Sequence, residues 1–202
     1  DSRSVSPGQL FVPVRGSVDG HQYIGAAVAA GAAAYLTDGP TIAGATAVRV
    51  RDTVAALDQL ARCSRQLLGA RTIGVTGSNG KTTTKDLLSA IASPVLRTAA
   101  SPGSFNTEIG GPLTLLAAPD DTELLVVEMG ARGQGHIASL AAMARPDIGI
   151  VTNVGLSHVG EFGDLQATAA AKRELVEALP SSGTAILNGD DPRCAAMAPA
   201  AA

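Results

Sequence analysis

The sequence predicts an α/β protein: a small N-terminal α/β unit followed by a larger unit built on a mostly parallel sheet. Three observations predict it. The 202 residues are 46% hydrophobic but only 2% aromatic, so Ala, Val, Leu and Ile must fill the core, which suits close helix-on-sheet packing. From Arg71 onward, strand-like and helix-like segments alternate strictly. Two of the strand-like runs, Leu124-Leu125-Val126-Val127 and Ile148-Gly149-Ile150-Val151, are apolar throughout, as strands buried on both faces are.

The elements follow in order. Leu10–Val14 is a short apolar strand whose internal Pro13 argues for an edge. A helix covers His21–Gly31, and a strand at Ala33–Thr37 stops at the turn signal Asp38-Gly39-Pro40. Thr46–Val50 is the next strand. Asp52 then caps a helix reaching Leu68, with Val54, Leu57, Leu60, Ala61, Leu67 and Leu68 at helical spacing. In the second unit, strands are expected at Thr72–Thr76, Val95–Thr98, Leu124–Glu128, Ile148–Thr152 and Ala185–Leu187. The helices between and beside them are Lys81–Ala92, Gly111–Ala117, Gly135–Ala144 and Leu165–Leu179. The domain boundary is placed at residues 68/69, giving domains 1–68 and 69–202. The chain opens on Asp1 rather than Met and closes on Pro199-Ala200-Ala201-Ala202, so part of a longer gene product is expected.

Several functions are excluded. Net charge is −3, with 15 basic and 18 acidic residues and no basic cluster, which argues against a nucleic-acid surface. Cys63 and Cys194 show no metal spacing and read as reduced thiols. The most apolar stretch, Gly25–Leu36, is too short to span a bilayer, and nothing marks secretion, so a cytoplasmic protein without a membrane partner is expected. There is no Gly-x-Ser-x-Gly elbow, no zinc cluster and no Gly-x-Gly-x-x-Gly after a strand. The absence of Asn-Lys-x-Asp removes a GTPase.

In parallel α/β sheets, ligands gather at the carboxyl ends of strands. There the strongest signal is Thr76-Gly77-Ser78-Asn79-Gly80-Lys81-Thr82-Thr83, between a strand and a helix. Small residues let several N–H groups face one anion, the helix start adds positive potential, Lys81 reaches outer phosphates and Thr82 offers a hydroxyl to Mg²⁺. The general P-loop pattern is met at Gly80-Lys81-Thr82 but not five residues before Gly80, where Val75 stands. Glu128, at the tip of a buried strand, is where a Mg²⁺-binding carboxylate belongs. Asn153 and His158 lie at and beyond the next strand end. Only Lys81, Lys85 and Lys172 are lysines, so each is a candidate for work that Arg cannot do. By position alone, Lys172 reads as a solvated helix charge beside Glu174 and Glu177. The residues by themselves lead to a Mg-nucleotide-using α/β enzyme.

At Thr-Gly-Ser-Asn-Gly-Lys-Thr-Thr the sequence resembles the Mur ligases, ATP-dependent amide ligases of peptidoglycan synthesis. The segments Pro102-Gly103-Ser104-Phe105-Asn106-Thr107-Glu108-Ile109-Gly110, Val127-Glu128-Met129-Gly130-Ala131-Arg132, and Asn153-Val154-Gly155 with Ser157-His158 and Glu161-Phe162-Gly163 narrow the resemblance to the MurF type. Asp1-Ser2-Arg3, Gly8-Gln9-Leu10-Phe11-Val12 and Asp19-Gly20-His21 look like that family's uridine-nucleotide-binding domain. The resemblance implies that Gly77, Ser78, Asn79, Gly80, Lys81, Thr82 and Thr83 cradle ATP, with Asn153 near the nucleotide. It implies a first Mg²⁺ on Thr82 and Glu128 and a second on His158 and a carbamoylated Lys172. Lys81, His158 and Lys172 become the catalytic set, which reverses the surface reading of Lys172. Ser2 and Arg3 would face the UDP end of the substrate, and Asn106 and Thr107 its muramoyl-peptide. The implied reaction joins D-alanyl-D-alanine to UDP-N-acetylmuramoyl-tripeptide through an acyl phosphate, in a bacterial cytoplasm, with a monomer as the default state.

Two departures accompany the resemblance. Thr107 stands where the family usually has Asn, and nothing matches the end of the ATPase domain or the third domain. They leave two further readings: a MurF-like ligase diverted to another peptide pathway, or a truncated nucleotide-binding module without ligase activity.

Overall fold

A computed structural model of the chain describes residues 1–155 and 164–201. These form two compact units, residues 1–59 and 60–202. The first unit holds a three-stranded parallel sheet of β1 (Leu10–Phe11), β2 (Ala34–Thr37) and β3 (Ala47–Arg49), in that order. The strand expected at Leu10–Val14 stops at Phe11, because Pro13 has no N–H to continue a ladder; β1 is nonetheless the edge that Pro13 suggested. The helix expected over His21–Gly31 is a 3₁₀ turn at Gly20–Tyr23, capped by Asp19, followed by α1 (Ile24–Ala29). Phe11, Ile24, Ala27 and Tyr35 make this unit's core. Asp52 caps α2 (Thr53–Leu67) as expected, its Oδ1 accepting from Val54 N and Ala55 N at 2.8 Å.

The second unit is a five-stranded sheet, all parallel, in the order β5-β6-β4-β7-β8. The strands are β4 (Arg71–Thr76), β5 (Thr98–Ala100), β6 (Leu124–Glu128), β7 (Ile148–Val151) and β8 (Thr184–Leu187). The helices are α3 (Lys81–Ala92), α4 (Gly110–Ala117), α5 (His136–Ala144), α6 (Leu165–Glu177) and α7 (Pro192–Ala195). One strand differs from expectation in place: of the expected Val95–Thr98, residues 95–97 are a turn and only Thr98 belongs to β5, and Val95 is 78% exposed. Local apolar character suggested a strand there, but β5 exists only where β6 offers it partners, Thr98–Ala100 against Leu124–Val126.

Leu125, Val126 and Val127 are fully buried, and such residues each contribute about 1.5–3 kcal/mol of burial. Val127 packs with Leu115, Met129, Ile137, Leu140, Met143 and Leu175 on one face, while Ile73, Val75 and Val126 pack with Leu88 on the other. Gly74 and Gly149 are paired in register on β4 and β7. A Cβ at Gly74 would fall 2.9 Å from Leu175 Cδ1 and one at Gly149 3.1 Å from Leu175 Cγ, so these glycines are what lets α6 lie against the sheet. The topology also places the site. The connection from β4 passes to β5 on one side, while that from β6 passes to β7 on the other, so the strand ends of β4, β6 and β7 open a crevice. No helix among the described residues is long and apolar enough to cross a membrane.

Candidate functional site

The loop between β4 and α3 is held from three directions. Gly77, at φ +152°, admits no side chain: a Cβ there would stand 1.8 Å from Thr152 Oγ1. Gly80, at φ +78°, turns the chain into α3 and is its N-cap without a side-chain cap bond. The first intrahelical bond runs from Thr84 N to Gly80 O, so the N–H groups of the first turn are left for a ligand. The segment after β7 closes along the loop. Ser78 N donates to Asn153 O at 3.0 Å and Asn79 N to Asn153 Oδ1 at 2.9 Å. Ser78 Oγ exchanges bonds with the backbone of Gly155, and Thr152 Oγ1 donates to Asn79 O at 2.6 Å. Asn153 therefore shapes the loop through its own amide oxygen.

Lys81 folds back over the loop it follows, its Nζ donating to Gly77 O at 2.8 Å and to Ser78 O at 3.4 Å. Burial lowers its pKa, opposed by the Glu128 carboxylate. Beside it, Thr82 Oγ1 donates to Glu128 Oε2 at 2.8 Å and Asn106 Nδ2 to Glu128 Oε1 at 2.7 Å. Glu128 is 1% exposed, and its backbone N–H donates to Ser101 Oγ. Three segments distant in sequence thus meet on one buried carboxylate. Lys172, on the buried face of α6, has its pKa pushed down to about 8 by burial and by the Lys81 ammonium, opposed by Cys194. It is not the solvated charge that its sequence position suggested. Its neighbours diverge from it: Arg173 pairs with Glu177 at 2.8 Å, and Glu174 accepts from Gly135 N and Ala138 N at the start of α5.

The structure therefore brings together Gly77–Thr83, Asn106, Glu128, Asn153 and Lys172 in the second unit. Thr107 is adjacent, with its Oγ1 3.4 Å from Gly110 N at the start of α4. Ser2 and Arg3 belong to the first unit, in a 3₁₀ turn where Arg3 Nε donates to Asp1 Oδ1 at 3.0 Å. His158 lies outside the described residues. Sequence reasoning passed over Asn188 and Asp191. Asn188 Nδ2 donates to Thr152 O at 3.0 Å and Asp191 Oδ2 accepts from Val154 N at 2.7 Å, so both brace the segment that braces the loop. The same carboxyl-end rule that found Glu128 applies to Asn188, the residue after β8. Among the described residues, no three His, Cys, Asp or Glu side chains converge as a metal cage.

Comparison with known proteins extends over both units. Residues 1–65 match the model described as Mur ligase family, catalytic domain, and residues 75–202 match the Mur ligase middle domain. A UDP-N-acetylmuramoyl-tripeptide–D-alanyl-D-alanine ligase of Mycobacterium tuberculosis is 44% identical over 223 residues, spanning 98% of this chain and 43% of the relative. A crystal structure of MurF from Acinetobacter baumannii superimposes with a TM-score of 0.93 at 32% identity, covering 100% of this chain and 45% of that one. MurF from Thermotoga maritima, solved with ADP, gives 0.89 at 34% identity over 98% of this chain and 47% of that one. The chain spans less than half the length of each.

Proposed function

The chain belongs to the Mur ligase family, and on that premise we propose that it forms the ATP- and donor-binding part of a ligase joining D-alanyl-D-alanine to UDP-N-acetylmuramoyl-tripeptide. The observation that carries this reading is the buried Glu128 carboxylate held by Thr82 and Asn106 at the mouth of an uncapped phosphate loop. The 44%-identical relatives, UDP-N-acetylmuramoyl-tripeptide–D-alanyl-D-alanine ligases, suggest the substrates, and a MurF solved with ADP suggests the nucleotide.

In this reading, residues 69–202 form an incomplete ATP-binding domain and residues 1–68 a uridine-nucleotide-binding one, with Ser2 and Arg3 toward the UDP group. Gly77–Thr83 wrap the ATP phosphates, which take the N–H groups of the first turn of α3 because those of Ser78 and Asn79 are given to Asn153, and the Lys81 ammonium faces the transferred phosphoryl group. The donor set fits magnesium: a hydroxyl on Thr82 and a carboxylate on Glu128 are hard oxygen ligands, of the number that Mg²⁺ takes from protein beside phosphate and water. When bound, the ion offsets charge repulsion between triphosphate and carboxylate. A second ion would be held by His158 and Lys172. Burial and the nearby Lys81 favour a neutral Lys172 amine, the form that adds CO₂ to give an anionic carbamate. Asn106 and Thr107 orient the peptide end of the donor.

The donor's terminal carboxylate oxygen attacks the γ-phosphorus and ADP leaves. The D-alanyl-D-alanine amine then attacks the acyl carbon, phosphate leaves and the amine loses a proton. Exclusion of water protects the acyl phosphate between the two steps. We place this chemistry in a bacterial cytoplasm, where ATP and UDP-linked precursors are found.

Mass spectrometry tests the reading. The natural gene product, incubated with ATP, Mg²⁺, a UDP-muramoyl-tripeptide and D-alanyl-D-alanine, is expected to yield the UDP-muramoyl-pentapeptide. Intact ADP binding without that product would overturn it in favour of a diverted ligase or a binding module.

A further inference from the structure

Lys85 takes no part in the chemistry above, yet it is 2% exposed, one turn beyond Lys81 on α3. Its Nζ donates to Ser101 O at 2.7 Å and pairs with Asp86 Oδ1 at 2.6 Å. Apolar side chains hold a helix on a sheet at lower cost than a buried ammonium does, so a role in packing alone explains Lys85 poorly.

Ser101, which receives that ammonium, is a junction. It is 1% exposed, and its N–H donates to Val126 O at 3.0 Å. Its Oγ accepts from Glu128 N at 3.1 Å and lies 3.3 Å from Thr114 Oγ1. From Ser101 the chain runs five residues to Asn106, whose amide donates to Glu128 Oε1 and whose carbonyl accepts from Gly130 N at 2.8 Å. A Cβ on Gly130 would stand 2.9 Å from Asn106 Cγ, so only a glycine at that strand end leaves the amide its place. The loop is therefore clamped at both ends to the same strand end, and Lys85 grips the first clamp from α3.

We propose that Lys85 is a positioning residue for Glu128: by fixing Ser101 it fixes the 101–106 loop, so that Asn106 steadies one carboxylate oxygen and the other stays on Thr82. The proposal rests on reading this carboxylate as the magnesium side of a nucleotide site. A merely structural tie between α3 and β5 predicts lost stability and no change in metal response.

Calorimetry separates the two. ADP binding is measured with and without Mg²⁺ in the natural gene product and in Lys85→Met, Asn106→Ala and the double variant. Metal-free ADP affinity is expected to stay within about twofold in Lys85→Met, while the enhancement by Mg²⁺ falls about tenfold in each single variant, the size of one lost charge-assisted bond. It is expected to fall no further in the double variant, since both changes act on one path. Lys85→Arg, which keeps a cationic donor, is expected to recover most of the enhancement. Unchanged Mg²⁺ enhancement in Lys85→Met, or additive losses in the double variant, would overturn the proposal. Should Lys85→Met fail to fold, Lys85→Gln is judged by the same two criteria. Absence of ADP binding in the unaltered protein would instead overturn the nucleotide-site reading beneath it.

Discussion

The two units use polar side chains in opposite ways. In residues 1–59, Arg15, Asp19, His21 and Asp38 form an ion cluster that reaches solvent through Arg15 and Asp19, both more than half exposed, while the His21 and Asp38 side chains are only 15% and 13% exposed. Arg15 Nη2 donates to Asp38 Oδ1 at 2.7 Å, and His21 Nδ1 lies 2.6 Å from Asp19 Oδ1. In residues 60–202, Lys85, Ser101, Glu128 and Lys172 are all buried, and Ser101 and Glu128 draw partners from distant segments. Exposed ion clusters stabilise little because water competes for them. Buried polar groups are costly, so a fold that retains four of them in one region uses them for chemistry or for positioning. The difference teaches where to look: burial of a polar group is a stronger sign of function than the number of its ion pairs.

The sharpest test of that contrast is Gly77→Ala. The added methyl would meet Thr152 Oγ1 at 1.8 Å, and the φ of +152° disfavours any side chain. Nucleotide affinity should fall by about a hundredfold or more through loss of the loop geometry, at a stability cost of about 1–3 kcal/mol. Calorimetry with ADP, paired with thermal unfolding, reads both; full affinity would show that the loop is not what holds the nucleotide.

A smaller effect, of the same sign in the two units but at opposite ends of the pH scale, comes from pH. Lys172 has its folded pKa lowered from 10.5 to about 8. Above pH 8 the unfolded chain binds the proton that the folded chain has released, so stability rises with pH across this window, by about 2 kcal/mol by pH 10. Lys172→Met should flatten that rise when unfolding is followed in CO₂-free buffer. Asp19 and Asp38 act in the same sense at the acid end, where stability again rises with pH. Hydrogen bonds from His21 hold the Asp19 carboxyl below its usual range, and the Arg15 guanidinium does the same for Asp38. Their contribution is present above the ordinary carboxylate pKa and is lost as pH falls through the lowered one.

The smallest effect should come from Arg15→Ala. Its exposed bonds are screened by salt, so the change in Tm should shrink further at 1 M NaCl. A large, salt-insensitive loss would break the contrast between the units.

Much of this was legible in the chain before it was folded. Lys81–Ala92 and Leu124–Glu128 have the bounds expected of them, because an uncapped glycine turn marks the first and burial on both faces marks the second. The strand-end rule found Glu128, the family resemblance set it beside Thr82, and the two are joined by a hydrogen bond. What escaped depends on partners far away in sequence. β5 could not be placed by its own residues, since Val95 and Leu96 are the better strand formers. Lys85 meets Ser101 sixteen residues on, and Asn188 meets Thr152 thirty-six residues back, spacings that no local pattern announces. Lys172 shows the limit of periodicity in another way. Its surface reading treated α6 as a free helix, whereas packing against the sheet buries the face that carries it.

The glycine pair beneath α6 has a last consequence. Leu175 fills the notch left by Gly74 and Gly149, and Lys172 is three residues earlier on the same helical face. A peg in a notch fixes both the height and the rotation of the rod that bears it. The depth at which the lysine amine stands is thus gauged by two hydrogen atoms in the middle of a sheet, where no reacting group is found. An alanine at either strand position would act as a shim under the helix, retuning the site without touching it.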